Sequence, residues 1–114
     1  MIEHLSLLKQ VRKEWTCDQY CMGEFAVDSS GTPCRVDAPE AVAWCVQGKM
    51  MQLLHMPDLR TFWAHPLRTF LNATAHRLFD INAIAIVNNE FGHTAILRVL
   101  DACIEELERK WRRR

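Results

Sequence analysis

The sequence predicts a mainly α-helical single domain with one short β-hairpin between its first and second helices. Apolar residues recur at the 3.6-residue helical period in several long stretches. The period is lost from Thr16 to Val36, where β-compatible residues flank a turn signal. No linker, internal repeat or low-complexity tract divides the 114 residues, so residues 1–114 form one domain.

The first element is an amphipathic helix over residues 3–15, with Leu5, Leu8, Val11 and Trp15 on one face. Tyr20 to Val27 and Pro33 to Val36 read as the two strands of the hairpin, joined by Asp28-Ser29-Ser30-Gly31, where Gly31 can take a positive φ. Asp37-Ala38-Pro39-Glu40 has the chemistry of a helix start: a capping acid, a proline in the first turn and a capping-box glutamate. The helix it opens, to about His55, is apolar on two sides and is expected to be the central element. Gly48 inside it costs about 1 kcal/mol relative to alanine, which close approach by another backbone would explain. Asp58 to Ala64 is turn-prone and carries Phe62 and Trp63. His65-Pro66 opens a second long pattern through Leu67, Phe70, Leu71, Ala75 and Leu78. For Ile81 to Val87 periodicity separates a buried strand from a short helix poorly; the helix is the reading adopted. The last helix begins near Thr94, with Ile96, Leu97, Leu100, Cys103, Ile104, Leu107 and Trp111 in one stripe.

Composition bounds the function. The 49% hydrophobic and 25% charged content is that of an ordinary globular domain, large enough to bury a core without disulfides or metal. Formal charge is zero, so no global field drives the chain onto nucleic acid or an anionic membrane. Its apolar runs are too short to span a bilayer, and Met1-Ile2-Glu3-His4 has neither the basic start nor the apolar core of a secretory leader. Five cysteines, an odd number without a familiar disulfide spacing, read as reduced thiols in a cytoplasm.

Three constellations could carry chemistry. Cys45 and His93, with Asn88 or Asn89 to orient the imidazole, have the parts of a thiol-nucleophile site, which needs a base for the thiol proton and a group to fix the base. The packing alternative makes Cys45 a small buried hydrophobe two turns inside its helix and His93 a helix-start residue. Cys17 and Cys21, with three residues between them, could converge with Cys34 and Cys45 on zinc, although structural zinc usually draws on two close pairs. The terminus Arg109-Lys110-Trp111-Arg112-Arg113-Arg114 could meet nucleic acid. Glu105, Glu106 and Glu108 each precede a cation by four residues, so helix ion pairs account for most of its charge. A fourth candidate is a binding surface: Met56, with Phe62 and Trp63 in a short segment flanked by prolines, would mark a partner interface or a homodimer seam.

With these residues in view, the chain resembles a family of small bacterial and phage proteins that carry a domain of unknown function. The resemblance rests on Trp15 and Tyr20, on Ala41-Val42-Ala43-Trp44-Cys45-Val46-Gln47-Gly48, and on Asn88, Gly92 and His93 leading into Leu97, Leu100, Asp101 and Ile104. It covers both ends of the chain and not His55 to Ala83. Family members have Asn-Asp where this chain has Asn88-Asn89, and a slightly longer turn between the glycine and the histidine. The resemblance implies a phage or mobile-element protein acting in a bacterial cytoplasm, and it brings no catalytic residue with it. The function expected is therefore non-catalytic: binding of another macromolecule, such as a host defence or regulatory protein, without cofactor or membrane. The alternatives are a Cys45–His93–Asn88 enzyme or small-molecule binder, and a nucleic-acid binder.

Overall fold

A computed structural model describes residues 2–112. The apolar stripes become helices α1 (Ile2–Glu14), α2 (Val46–Leu53), α3 (Leu59–Trp63), α4 (Pro66–Phe79) and α5 (Ile84–Arg112). Between α1 and α2 lie a 3-10 turn, Cys17–Gln19, and two short antiparallel strands, β1 (Ala26–Val27) and β2 (Ala43–Trp44). The class is the expected one: mainly helical, with a two-stranded pair between the first and second helices.

Helix α5 organises the core. Its stripe buries Ile96, Val99, Leu100, Cys103 and Leu107, and α1, α2 and α4 all pack against it. Helix α1 contributes Leu7, Leu8 and Val11, with Trp15 just beyond its end; α4 contributes Leu67, Leu71 and Ala75. Each fully buried side chain of this size stabilises the fold by about 1.5–3 kcal/mol. Polar contacts fix the rotation of the helices. The Arg12 guanidinium grips Asp101 at 2.8 Å, Lys9 reaches Glu108 at 3.1 Å, and the Cys103 thiol donates to Thr74 Oγ1 at 3.2 Å between α5 and α4. Trp111, expected on the apolar stripe, is exposed instead.

Helix α5 is two pieces. Gly92 sits at φ 87°, ψ −176°, a conformation only glycine adopts without strain, and breaks the helical path. Residues 84–87 are helical, as read, and Asn88 and Asn89 lie in the first piece rather than in a turn. Asn72 opens that piece by accepting from the Ile84 N–H at 2.8 Å.

The largest departure lies at residues 37–45. Asp37 does not cap a helix: its carboxylate is gripped in bidentate fashion by Arg35 at 2.9 and 3.1 Å, and turns follow. Helix α2 begins only at Val46, with Cys45 as its N-cap, so it is eight residues long, with Val46 to Met51 buried. The cause is non-local. The Trp44 backbone carbonyl accepts from the Trp15 indole at 2.9 Å and from the Cys21 N–H at 3.1 Å, while the Trp44 indole donates to the Val36 carbonyl at 3.0 Å. These contacts hold Trp44 extended against the helical preference of its neighbours.

The strand pairing shifts with it. Ala26 pairs with Trp44 and Val27 with Ala43, whereas the expected return strand, Pro33 to Val36, supplies only one bridge, Pro33 to Val27. Pro33 has no N–H to continue a ladder. On the far side of Trp44, Tyr20 makes a parallel bridge.

Candidate functional site

The first turn of α2, the loop from Gly23 to Phe25 and the first piece of α5 enclose a cavity of about 180 Å³. Its walls are mostly apolar, through Phe25, Val46 and Ala85, with Cys45, Gln47, Asn88, Asn89 and Glu24 as the polar contributors. The loop can lie this close to α2 because residue 48 is glycine. A Cβ there would stand 1.9 Å from the Phe25 carbonyl oxygen, so the close backbone approach expected at Gly48 is present.

Asn88 is fully buried and bonded in three directions. Its Oδ1 accepts from the Val46 N–H at 3.1 Å, and its Nδ2 donates to the Cys21 carbonyl at 3.1 Å and to Asn89 Oδ1 at 3.2 Å. Asn89 Oδ1 also accepts from the Gly23 N–H at 2.9 Å. One side chain thus clamps the Cys21 segment to the start of α2. Val46 would otherwise have an orphan donor, as first-turn residues of a helix do.

Cys45 shares the cavity wall with Asn88, but its sulfur serves the helix. It accepts from the Gly48 N–H at 3.3 Å as an N-cap. Burial pushes the thiol above its ordinary pKa, and the N–H groups of Gly48 and Gln47 oppose that only in part. The cysteine therefore stands at the helix N-terminus rather than two turns inside it, and its thiol is still held protonated. His93 lies elsewhere. Its ring packs on Trp15 at 4.6 Å and Tyr20 at 5.7 Å, and Nε2 stands 2.8 Å from the Trp15 carbonyl. A carbonyl only accepts, so Nε2 carries a proton. No histidine lines the cavity. Tyr20 completes this aromatic group and donates its hydroxyl to the Asn88 carbonyl.

The four zinc candidates do not form one ligand set. Cys17 is exposed in the 3-10 turn, and among the described residues no three of His, Cys, Asp or Glu come together as metal ligands. At the C-terminus, Glu106 pairs with Lys110 at 3.7 Å, but Glu108 turns to Lys9 instead of Arg112. Arg113 and Arg114 lie outside the described residues.

The binding-surface candidates separate. Phe62 is fully buried: α3 turns it into the core, so it offers nothing to a partner. Met56 is half-buried; its N–H closes the end of α2 on the Met51 carbonyl at 2.9 Å. Trp63 is 57% exposed, with the Arg68 guanidinium stacked 3.6 Å from its ring centroid. Arg68 is itself held, donating from Nε to Gln47 Oε1 at 3.1 Å and from Nη1 to the Trp63 carbonyl at 3.4 Å. Gln47 lines the cavity, so a chain of contacts joins the cavity wall to the exposed indole. Neither Gln47 nor Lys49 stands out in the sequence, yet both are buried. The Lys49 ammonium lies 4.4 Å over the Trp44 ring and 3.6 Å from Glu14.

No family model, curated protein or solved structure matches the chain. Among the described residues no helix is long and apolar enough to cross a membrane.

Proposed function

We propose that the protein acts without catalysis, by binding a segment of another protein across Trp63 and Arg68 and into the Cys45–Asn88 cavity. The observation that carries this reading is the continuity from the exposed indole through Arg68 and Gln47 to the cavity wall. Tryptophan and arginine dominate binding energy where a pocket takes an anchoring side chain, and a held pair loses little entropy on binding. A cavity of about 180 Å³ is on the scale of one apolar side chain. A suitable segment carries an apolar anchor with an acidic residue beside it for the arginine.

The family resemblance supports a phage or bacterial accessory protein in a bacterial cytoplasm, with a host defence or regulatory protein as its partner. Benzoylphenylalanine placed at Trp63 or at Glu24 and irradiated in cells should cross-link to the same protein. The same residue at Glu105, near the other end of α5, should not. Cross-links at Glu105 alone, or different products from Trp63 and Glu24, would remove the reading.

A second reading is favoured by one observation, that Cys45 and Asn88 share a cavity wall: a small-molecule or thiol site there. An activated thiolate at Cys45 would react with iodoacetamide near neutral pH far faster than a free thiol. The protonated, buried Cys45 predicts the reverse.

A further inference from the structure

We infer that Cys21 and Cys45 form a reversible disulfide by exchange with a low-molecular-weight disulfide of the oxidised-glutathione class. The geometry comes from the backbone. Tyr20 and Trp44 make a parallel bridge, and the Cys21 N–H donates to the Trp44 carbonyl at 3.1 Å. Cys21 and Cys45 are the next residues along the two segments, so they stand side by side. Neighbouring strands lie about 4.8 Å apart, within the Cα separation that a disulfide spans. Asn88 ties the same two segments together, through the Cys21 carbonyl and the Val46 N–H. The two thiols influence each other: after burial, a charge on Cys45 is what most raises the Cys21 thiol.

Exposure sets the order of events. Cys21 is half-buried and Cys45 buried, so Cys21 is the first to react. Its thiolate, the proton having gone to solvent, attacks one sulfur of the small disulfide; that S–S bond breaks and one small thiol leaves. Cys45 then gives up its proton and attacks the Cys21 sulfur, and the second small thiol leaves. Two protein thiols are oxidised and one small disulfide is reduced to two thiols. Burial pushes the Cys21 thiol up to about 11 and raises the Cys45 thiol as well, so the exchange is slow near neutral pH, and neither protein thiolate is stabilised to favour reduction of the disulfide.

The test uses the full chain, incubated with oxidised glutathione, then denatured, alkylated and mapped by mass spectrometry. The expected product has lost two hydrogen masses, has Cys21 linked to Cys45, and has Cys17, Cys34 and Cys103 alkylated. The rate should rise about tenfold per pH unit on the alkaline side of neutral. Cys45→Ser keeps a capping oxygen and so should fold; it should stop at a glutathione adduct on Cys21. Cys34→Ser should leave the Cys21–Cys45 link unchanged. A Cys21–Cys34 link, a lasting adduct on Cys21 in the unmodified chain, or no oxidation at all would overturn the inference. None of these readouts involves a partner, so they stand apart from the proposed docking function.

Discussion

Asn88 shows how much one buried amide can do. It holds a helix start with one atom and a loop carbonyl with another, in surroundings where an unmet donor or acceptor costs about 1–3 kcal/mol. Asn88→Ala should therefore lower unfolding free energy by about 2–4 kcal/mol, measured by urea titration. Cys45→Ser should change it by less than about 1 kcal/mol, since a serine oxygen is the better cap. Gly48 is the other intolerant position. With the Phe25 carbonyl 1.9 Å from an added Cβ, Gly48→Ala should cost at least about 3 kcal/mol or displace the loop. The thiols predict a pH dependence as well. Burial pushes Cys21 and Cys103 up to about 11, from an ordinary value of 9.0. Above that ordinary value the unfolded chain loses protons that the folded chain keeps, so stability falls as pH rises. The contribution is whole below pH 9 and is lost by about 11. Urea midpoints should fall across that window, and should fall less in a Cys21→Ser, Cys103→Ala double variant; equal slopes would remove the two thiols as the cause.

Among the elements, the helices whose burial coincides with a 3.6-residue stripe were legible in the sequence. Residues 67–78 and 96–107 place their apolar positions where α4 and α5 need them, so local pattern and tertiary packing agree. Residues 37–45 were not legible, because three residues distant in sequence, Trp15, Cys21 and Val36, decide the conformation of Trp44. A capping aspartate and a first-turn proline are strong local signals that those contacts override. The true start of α2 was marked only by a cysteine, a poor advertisement for an N-cap. The ends of α2 and α4 carry a testable imperfection. His55 and Asp80 both sit in the left-handed region, at φ 56° and 59°, where glycine is normal. The Met56 N–H on the Met51 carbonyl marks the first as a Schellman closure. His55→Gly and Asp80→Gly should each raise stability by about 0.5–1 kcal/mol. A loss of stability at either position would mean that its side chain contributes more than its strain costs.

At the scale of the whole molecule, the candidate site was half visible in advance. Cys45, Asn88 and Trp63 are chemically conspicuous, but which of them share a surface depends on how α2, α4 and α5 meet. The fold divides the thiol triad by sending His93 to Trp15 and Tyr20. It joins Trp63 to the cavity through Gln47 and Arg68, two residues with no motif to announce them. The account thus gives Cys45 and Asn88 the work of holding the cavity open and Trp63 the work of engaging a partner. The most direct test compares Cys45→Ser with Trp63→Glu for affinity toward the cross-linked partner, with thermal melting of each as a control. Cys45→Ser should bind as the unmodified chain does. Trp63→Glu, with its melting unchanged, should bind at least about a hundredfold more weakly, as loss of a dominant anchor does. Full binding by Trp63→Glu, or loss of activity in a well-folded Cys45→Ser, would contradict it.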